Sequence, residues 1–397
     1  MAEVNHKERE HAVLSASASH RWLHCTPSAK LEEQFGKVVD TDFAQEGTLA
    51  HELSEIVLRY ELMAIDGGDT DLDVYEATLD KTKSNPMYSR DMLNYTREYI
   101  DYCKEQYIQS KVADKGSVYG IEEKLNLSAY VPESFGTADF VVVGDGKLEI
   151  IDLKYGAGVA VDAYNNPQLM LYALGCLERY DMIYSIDRVA MTIVQPRMNN
   201  ISTFELDKQE LLDWAESELI PKAEQAMKGE GELHCGKWCQ FCKVKERCRE
   251  LYNKNMSVVN KIANKQLDLL TDDEIAEVVS NESQITSWLK AISEYAREQA
   301  LSGKKFKGLK LVEGRSIRRW KSESVGAEIA ELTGVDEESL YNKKLKGMGD
   351  VEKLVGKANF KLLGDLIVKP AGAPTLVSED DKRPELGREA SLQDFGI

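Results

Sequence analysis

The sequence lacks any apolar run of about 18 residues or more, the length that a membrane-spanning helix requires. Its first residues also lack the apolar core of a secretion signal. We therefore expect a cytoplasmic protein that makes no membrane contact. Cysteine is scarce, with seven in 397 residues. In that compartment these cysteines are expected to be free thiols or metal ligands rather than disulfides.

Basic residues are too few for a protein that coats nucleic acid without sequence preference. The formal net charge is -18, whereas such proteins gain affinity when Lys and Arg release the counterions of phosphates. A nucleic-acid function would therefore require a local basic groove. Two stretches could supply one, although basic runs are as often solvated surface. They contain Lys304, Lys305, Lys307, Lys310, Arg315, Arg318, Arg319 and Lys321, and then Lys343, Lys344 and Lys346.

Length and composition indicate a folded protein of more than one domain. The 43% apolar and 30% charged content is typical of globular chains, and 397 residues correspond to two or three domains at about 150 residues each. We expect a first domain over 1–255 and a smaller accessory domain of helices and a hairpin over 256–368. The stretch 369–397 is rich in Pro, Gly, Ser and acids and is expected to be extended or disordered.

Apolar periodicity predicts a mixed α/β (α+β) core with the order helix, three strands, helix, strand. Between the second and third strands, Gly144, Asp145 and Gly146 favour a tight hairpin turn. Helices are predicted over 15–35, 48–63, 91–111 and 167–179, and strands over 118–125, 138–143, 148–153 and 188–194. A hairpin is predicted over 306–320.

The predicted hairpin carries two aspartates, and a lysine lies just after its second strand. If its strands pair across the turn, Asp139 and Asp152 lie at the same end, and Asp152 and Lys154 share one face of their strand. Carboxylate oxygens hold Mg²⁺ or Mn²⁺, and an ammonium neutralises charge that grows during phosphodiester hydrolysis. The backbone carbonyl of Leu153 could be a further ligand. Taken alone, such a match is more often a pair of solvent-facing charges.

A longer pattern resembles the PD-(D/E)XK nuclease superfamily, in particular its RecB-like exonuclease branch. Asp139 follows Gly136 by three residues, and Asp152 and Lys154 form a D-x-K pair. Gln168 and Tyr172 match the Q-x-x-x-Y helix of that branch. The upstream segment 46–51 is similar to the G-x-x-x-H segment in which the branch places a metal-binding histidine. The resemblance covers roughly residues 15–250 and implies a restriction-endonuclease-like core flanked by helices.

The resemblance also implies roles for these residues. His51, Asp139 and Asp152 would ligate Mg²⁺ or Mn²⁺. The ammonium of Lys154 would serve the attacking water. In the same way, Gln168 and Tyr172 would brace the catalytic site or contact DNA.

Four cysteines, Cys235, Cys239, Cys242 and Cys248, fall within fourteen residues, which packing alone does not explain. By local spacing they could hold a structural Zn²⁺. The resemblance implies a 4Fe–4S cluster instead, held by Cys25 and by the last three of these cysteines, with Cys235 as a surplus thiol that keeps zinc open. Two further cysteines, at positions 103 and 176, are expected in the core on helices.

The whole chain, including the segment 310–316 and the tail around 369–376, resembles a phage or prophage family of unknown function. That family is similar to recombination exonucleases encoded near a single-strand annealing protein. The resemblance implies a metal-dependent DNA exonuclease that resects DNA ends, with DNA and such an annealing protein as partners. Two alternatives stay open: an endonuclease specific for a DNA structure or a single strand, and a DNA-end-binding subunit whose site requires a partner. The oligomeric state is not predicted.

Overall fold

The structure is a computed structural model that describes residues 12–34, 42–263 and 269–310. Two compact units divide these residues: one holds the described residues up to 263 together with Ser287–Ile292, and the other holds 269–286 and 293–310. Most of the hairpin predicted over 306–320, the basic residues beyond Lys310 and the tail over 369–397 lie outside the described residues. The domain boundaries predicted at 255 and 368 stay predictions.

The helices and strands follow one another along the chain with short connections. They are α1 (Ser19–His24), α2 (Ser28–Glu33), α3 (Asp42–Ile65), α4 (Leu72–Lys83), α5 (Arg90–Ala113), β1 (Val118–Asn126), β2 (Phe135–Gly144), β3 (Gly146–Leu153), α6 (Pro167–Tyr180), β4 (Ile186–Gln195), β5 (Asn200–Asp207), α7 (Lys208–Trp214), α8 (Ile220–Lys228), α9 (Arg249–Ala263) and α10 (Asp272–Leu301). Short 3-10 turns span Ala16–Ala18, Pro196–Met198 and Lys237–Phe241, and Ala215–Leu219 is π-helical.

The strands form one five-stranded sheet in the order β1-β2-β3-β4-β5. Neighbouring strands are antiparallel except β3 and β4, which are parallel and are joined by the crossover helix α6. The β2–β3 hairpin closes with Gly144 opposite Lys147, and Gly146 takes a φ of +88° that favours glycine in such a turn. The predicted mixed α/β core is therefore confirmed.

Apolar side chains cover both faces of the sheet. On one face Val141, Leu148 and Ile150 pack in a cluster with residues of α6 and α8. On the other face Phe140 and Ile151 pack in a cluster with residues of α3 and α5. Because successive strand residues point to opposite faces, the near-continuous apolar runs of β2 and β3 are what a sheet buried on both sides requires.

Two elements were not predicted, one begins earlier, and the helix predicted over 15–35 is divided into α1 and α2 at Pro27. Helix α3 begins at Asp42 rather than near Thr48, and neither helix α4 nor strand β5 was predicted. Strand β5 is an edge strand whose side chains alternate between exposed and half-buried, with Ile201 59% exposed. Its pairing with β4 therefore supplies the stability that its own apolar content does not indicate.

Two helical glycines should respond oppositely to alanine. A Cβ at Gly175 on α6 would lie 2.8 Å from Leu127 Cδ2 and 3.0 Å from Leu125 Cβ, whereas a Cβ at Gly47 on α3 meets nothing within 4 Å. We expect Gly175→Ala to lower the free energy of unfolding by about 1–3 kcal/mol through overpacking. As the matched control, Gly47→Ala should raise it by about 0.5–1 kcal/mol through helix propensity. Urea unfolding followed by circular dichroism measures both, and equal effects would contradict the close packing of α6.

Candidate functional site

The pairing of β1 with β2 is interrupted at one position, where Glu122 stands opposite Asp139. Ile121 pairs with Phe140 and Glu123 pairs with Ala138, but Glu122 has a φ of +49°. A glutamate in the left-handed region is strained, and such strain is often found at functional sites. This irregularity lies at the end of the hairpin that carries both predicted aspartates.

His51, Glu122 and Asp139 converge at this irregularity. Their candidate ligand atoms all lie within 4.8 Å of one another. His51 Nδ1 is 3.5 Å from Asp139 Oδ2 and 3.8 Å from Glu122 Oε1. The histidine comes from α3, which packs on one face of the sheet, while the carboxylates come from β1 and β2. One imidazole and two carboxylates form a donor set that suits Mn²⁺ or Mg²⁺.

A second group of side chains continues from Asp152. Lys154 Nζ is 2.9 Å from Asp152 Oδ2 and donates to Gln168 Oε1 at 2.9 Å. The amide of Gln168 donates to Asp152 Oδ1 at 3.2 Å and lies 3.2 Å from the hydroxyl of Tyr172. Helix α6 presents Gln168 and Tyr172 on one face because they are four residues apart. These contacts hold the lysine ammonium beside the buried carboxylate.

The charges of the two groups influence each other. Burial would lower the pKa of His51, but Asp139, Glu122 and Asp152 outweigh it and raise that pKa to about 9. Burial likewise would lower the pKa of Lys154, yet Asp152 and Asp139 raise it. Burial is the main reason why the pKa of Asp139 is raised. The carboxylates of this site therefore favour the charged forms of both His51 and Lys154.

The buried oxygens of the site suit a bound cation. Asp152 is 1% exposed, and within the described residues its Oδ2 has no hydrogen bond of good geometry, although Lys154 Nζ is close by. Asp139 Oδ2 accepts the backbone amide of Leu153 at 2.7 Å. A buried carboxylate is costly unless a cation compensates it, and at Asp152 the Lys154 ammonium does so. The donor set of His51, Glu122 and Asp139 beside it fits Mg²⁺ or Mn²⁺.

All six predicted side chains are present at this one place. His51, Asp139, Asp152 and Lys154 lie there, together with Gln168 and Tyr172. Leu153 was predicted to offer its backbone carbonyl to the metal. In the structure its backbone amide contacts the site, by donating to Asp139 Oδ2. Sequence reasoning missed Glu122, because it stands next to Glu123 in a charged stretch of a strand and only its backbone conformation distinguishes it.

Gly136, the glycine of the predicted motif, allows Tyr172 to approach the sheet. A Cβ at this position would lie 2.8 Å from Tyr172 Cε1. Tyr172 is 6% exposed, and burial raises its pKa well above the usual value. The tyrosine hydroxyl is therefore neutral and available to hold the amide of Gln168.

The predicted cysteine cluster brings together residues from both ends of the first unit. Cys25 follows α1, while Cys239, Cys242 and Cys248 lie in and after the 3-10 turn that precedes α9. These four cysteines line one small cavity. The thiol of Cys235 contacts Cys239 and Cys248 from outside that cavity. The other two cysteines, Cys103 and Cys176, are buried on helices as expected.

Backbone amides point at two of the four sulfurs, those of Cys239 and Cys248. Gly236 N is 3.5 Å from Cys239 Sγ, and Leu251 N is 3.5 Å from Cys248 Sγ. The Ser28 amide donates to the Cys25 carbonyl at 2.9 Å, and burial raises the pKa of the Cys25 thiol and raises that of Cys242 to about 12. Hydrogen bonds from amides to sulfur stabilise thiolate ligands and tune iron–sulfur clusters. Two of the four cysteines predicted for a cluster, Cys239 and Cys248, therefore have amide contacts that fit metal-bound thiolates.

Together, the fold and the site define a mixed α/β protein with a carboxylate, histidine and lysine centre at one end of its sheet. The chain belongs to the family described as "Protein of unknown function (DUF2800)", whose model matches residues 11–384. A solved structure titled "Crystal structure of SSO0001" matches at 14% identity, covers 56% of this chain and 94% of that chain, and has a TM-score of 0.20. At that TM-score the likeness bears on neither fold nor function.

No helix within the described ranges 12–34, 42–263 and 269–310 combines the length and apolar character that crossing a membrane requires.

The geometry predicts that Glu122 contributes to cation binding. We expect Glu122→Gln to weaken Mn²⁺ binding at least about tenfold, since a charged ligand oxygen is replaced by a neutral amide. Isothermal titration calorimetry of the metal-free chain with Mn²⁺ measures the change. The matched control is Asp187→Asn, an exposed carboxylate at the start of β4, which should bind Mn²⁺ like the wild type. Equal affinities of both variants would remove Glu122 from the metal site.

Proposed function

We propose that this protein is a metal-dependent DNA exonuclease of the RecB-like PD-(D/E)XK kind. The observation that carries the proposal is the convergence of His51, Glu122 and Asp139 with the Asp152–Lys154 pair at one end of the sheet. Mixed imidazole and carboxylate donors beside a buried ammonium suit the hydrolysis of phosphodiesters. The role in phage recombination and the cooperation with a single-strand annealing protein belong to the same proposal.

Different residues of the site would have different roles in hydrolysis. His51, Glu122 and Asp139 would hold Mg²⁺ or Mn²⁺, and Asp152 would complete the anionic surroundings from the opposite strand. When bound, the cation supplies polarisation of the phosphoryl oxygen and a lowered pKa of bound water. Protein side chains must supply the remaining orientation and charge.

Lys154 provides the positive charge on the protein side of the reaction. Its ammonium is fixed between Asp152 and Gln168, and its raised pKa keeps it charged at neutral pH. A preoriented charge stabilises the negative charge that develops on the phosphoryl oxygens, without reorganisation during the reaction. Tyr172 holds the amide of Gln168 and so positions the lysine indirectly.

The cysteine site, in this proposal, holds a structural 4Fe–4S cluster. Cys25, Cys239, Cys242 and Cys248 would be its ligands, and the group would supply a crosslink between the start and the end of the first unit. Without any metal, Glu32 already joins these parts, since it accepts from Arg21 at 2.6 Å and from the Lys243 amide at 2.7 Å. A cluster would reinforce that closure by constraining the unfolded chain.

Cleavage of labelled DNA tests the catalytic proposal. With Mg²⁺ or Mn²⁺ we expect degradation of linear duplex, none with EDTA, and none for Asp139→Asn or Asp152→Asn at wild-type stability. Lys154→Ala should retain metal binding and lose about 10²–10³-fold in rate. Asp187→Asn is the control with wild-type rate. Intact linear DNA under all metal conditions would refute nuclease activity.

Substrate form separates the alternatives within the same experiment. Closed circular single strands should survive an exonuclease, whereas an endonuclease would cut them. A DNA-end-binding subunit would retain DNA affinity and cut no substrate with either metal until its partner protein is added.

Metal analysis tests the cysteine site separately. We expect the purified wild type to be brown and to contain iron, and Cys242→Ser to lose iron and to unfold several degrees lower, because a ligand of the crosslink is gone. The matched variant Cys235→Ser should keep both iron and stability. Zinc in place of iron, or loss of iron in Cys235→Ser, would overturn the proposed ligand set.

A further inference from the structure

An arginine paired with an aromatic ring lies at the same sheet edge as the candidate metal site. Tyr155 directly follows Lys154 at the end of β3, and Arg197 lies three residues after Val194 of the parallel strand β4. The two strands are joined there, because the Lys154 amide donates to the Val194 carbonyl at 2.9 Å. The carboxyl ends of neighbouring parallel strands commonly bind ligands.

The guanidinium of Arg197 is held in place on two sides. Its Cζ lies 5.0 Å from the centre of the Tyr155 ring, and its Nη1 is 2.9 Å from Glu46 Oε2 on α3. Tyr155 is 5% exposed and packs with Leu49 and Ala50, so it forms a fixed platform. The arginine side chain itself remains 28% exposed. Arg197 is therefore preoriented and still accessible to a ligand.

A buried glutamine fixes the turn that carries Arg197. Gln195 is 1% exposed, and its Nε2 donates to the carbonyls of Gly156 at 2.6 Å and Val159 at 2.9 Å. Its Oε1 accepts from the Val161 amide at 3.1 Å. These bonds join the β4–β5 turn to the loop that follows Lys154. The position of the arginine relative to the candidate catalytic residues is consequently set by the fold.

We propose that Arg197 binds a DNA phosphate close to the bond that is cut, and that Glu46 holds the guanidinium until DNA arrives. This inference rests on the proposed nuclease function. A planar guanidinium binds phosphate through two parallel hydrogen bonds and stacks on aromatic rings, which lysine does not do equally.

Distance and energy both support the exchange of Glu46 for a phosphate. Glu46 precedes His51 by five residues of α3, a rise of about 7.5 Å, so the carboxylate that holds Arg197 lies close to the candidate metal site on the same helix. The Arg197–Glu46 ion pair is partly exposed on both sides, and such pairs contribute little to stability. A phosphate can therefore displace the carboxylate at small cost.

DNA binding measured without cleavage tests the inference. Fluorescence anisotropy of a labelled linear duplex, titrated with the full chain in EDTA, gives Kd at several salt concentrations. We expect Arg197→Ala to raise Kd about tenfold and to reduce the slope of log Kd against log salt by about one. The matched control is Arg188→Ala at the other end of β4, where the arginine is 60% exposed and pairs with Glu205 at 3.4 Å. That variant should bind DNA like the wild type.

Two conservative variants separate DNA contact from a structural role. Glu46→Gln should bind DNA about two- to fivefold more tightly, because phosphate no longer displaces a carboxylate. Arg197→Lys should recover the salt slope but only part of the affinity, since the stacked planar geometry is lost. A purely structural ion pair would instead make both variants less stable with unchanged DNA affinity, as thermal unfolding would reveal.

The outcomes distinguish this inference from the proposed function. If a folded Arg197→Ala variant binds DNA as tightly as the wild type, the proposed arginine contact is wrong. The nuclease proposal is tested separately, by the DNA cleavage of the Asp152→Asn variant. If DNA binding depends on Arg197 but no substrate is cut, the contact stands and the nuclease proposal fails. A wild-type chain that binds no DNA overturns both.

Discussion

The register of β2 against β3 is the constraint on which the candidate site depends. With Gly144 opposite Lys147 and Phe140 opposite Ile151, continuation of the same register sets Asp139 across from Asp152. A slip of one residue would turn every side chain of a strand to the other face of the sheet. The two-residue turn and the apolar faces on both sides of the sheet therefore fix the two carboxylates together.

Such a concentration of carboxylates costs stability, and the surrounding residues offset part of that cost. Asp152 is almost wholly buried, and Lys154 and Gln168 compensate its charge from the side of α6. Asp139 is compensated by His51 and by the Leu153 amide. Replacement by apolar side chains would be a simpler way to stabilise a core. The buried charges therefore do not serve stability best, which agrees with the proposed metal site.

The irregular β1–β2 pairing explains how helices on opposite faces of the sheet reach one site. Phe140 packs on the face covered by α3 and α5, whereas Ala138 packs on the face covered by α6. The alternation of side chains thus changes across Asp139, where Glu122 has its left-handed conformation. Because of this change, His51 from one face and Gln168 from the other reach two neighbouring carboxylates, Asp139 and Asp152. Strain in one residue is compatible with the fold because the pairs on either side of it are regular.

The sequence by itself determined the mixed α/β core, the hairpin and the pairing of Asp152 with Lys154, because these depend on spacing within one turn or one strand. The tertiary structure alone decided that Glu122 joins His51 and that Arg197 lies beside Tyr155. The local sequence indicates neither placement, because Glu122 in a charged stretch and Arg197 after a proline look like ordinary surface residues. Their places follow from strand pairing between distant segments, and such pairing is set by the packing of the whole sheet.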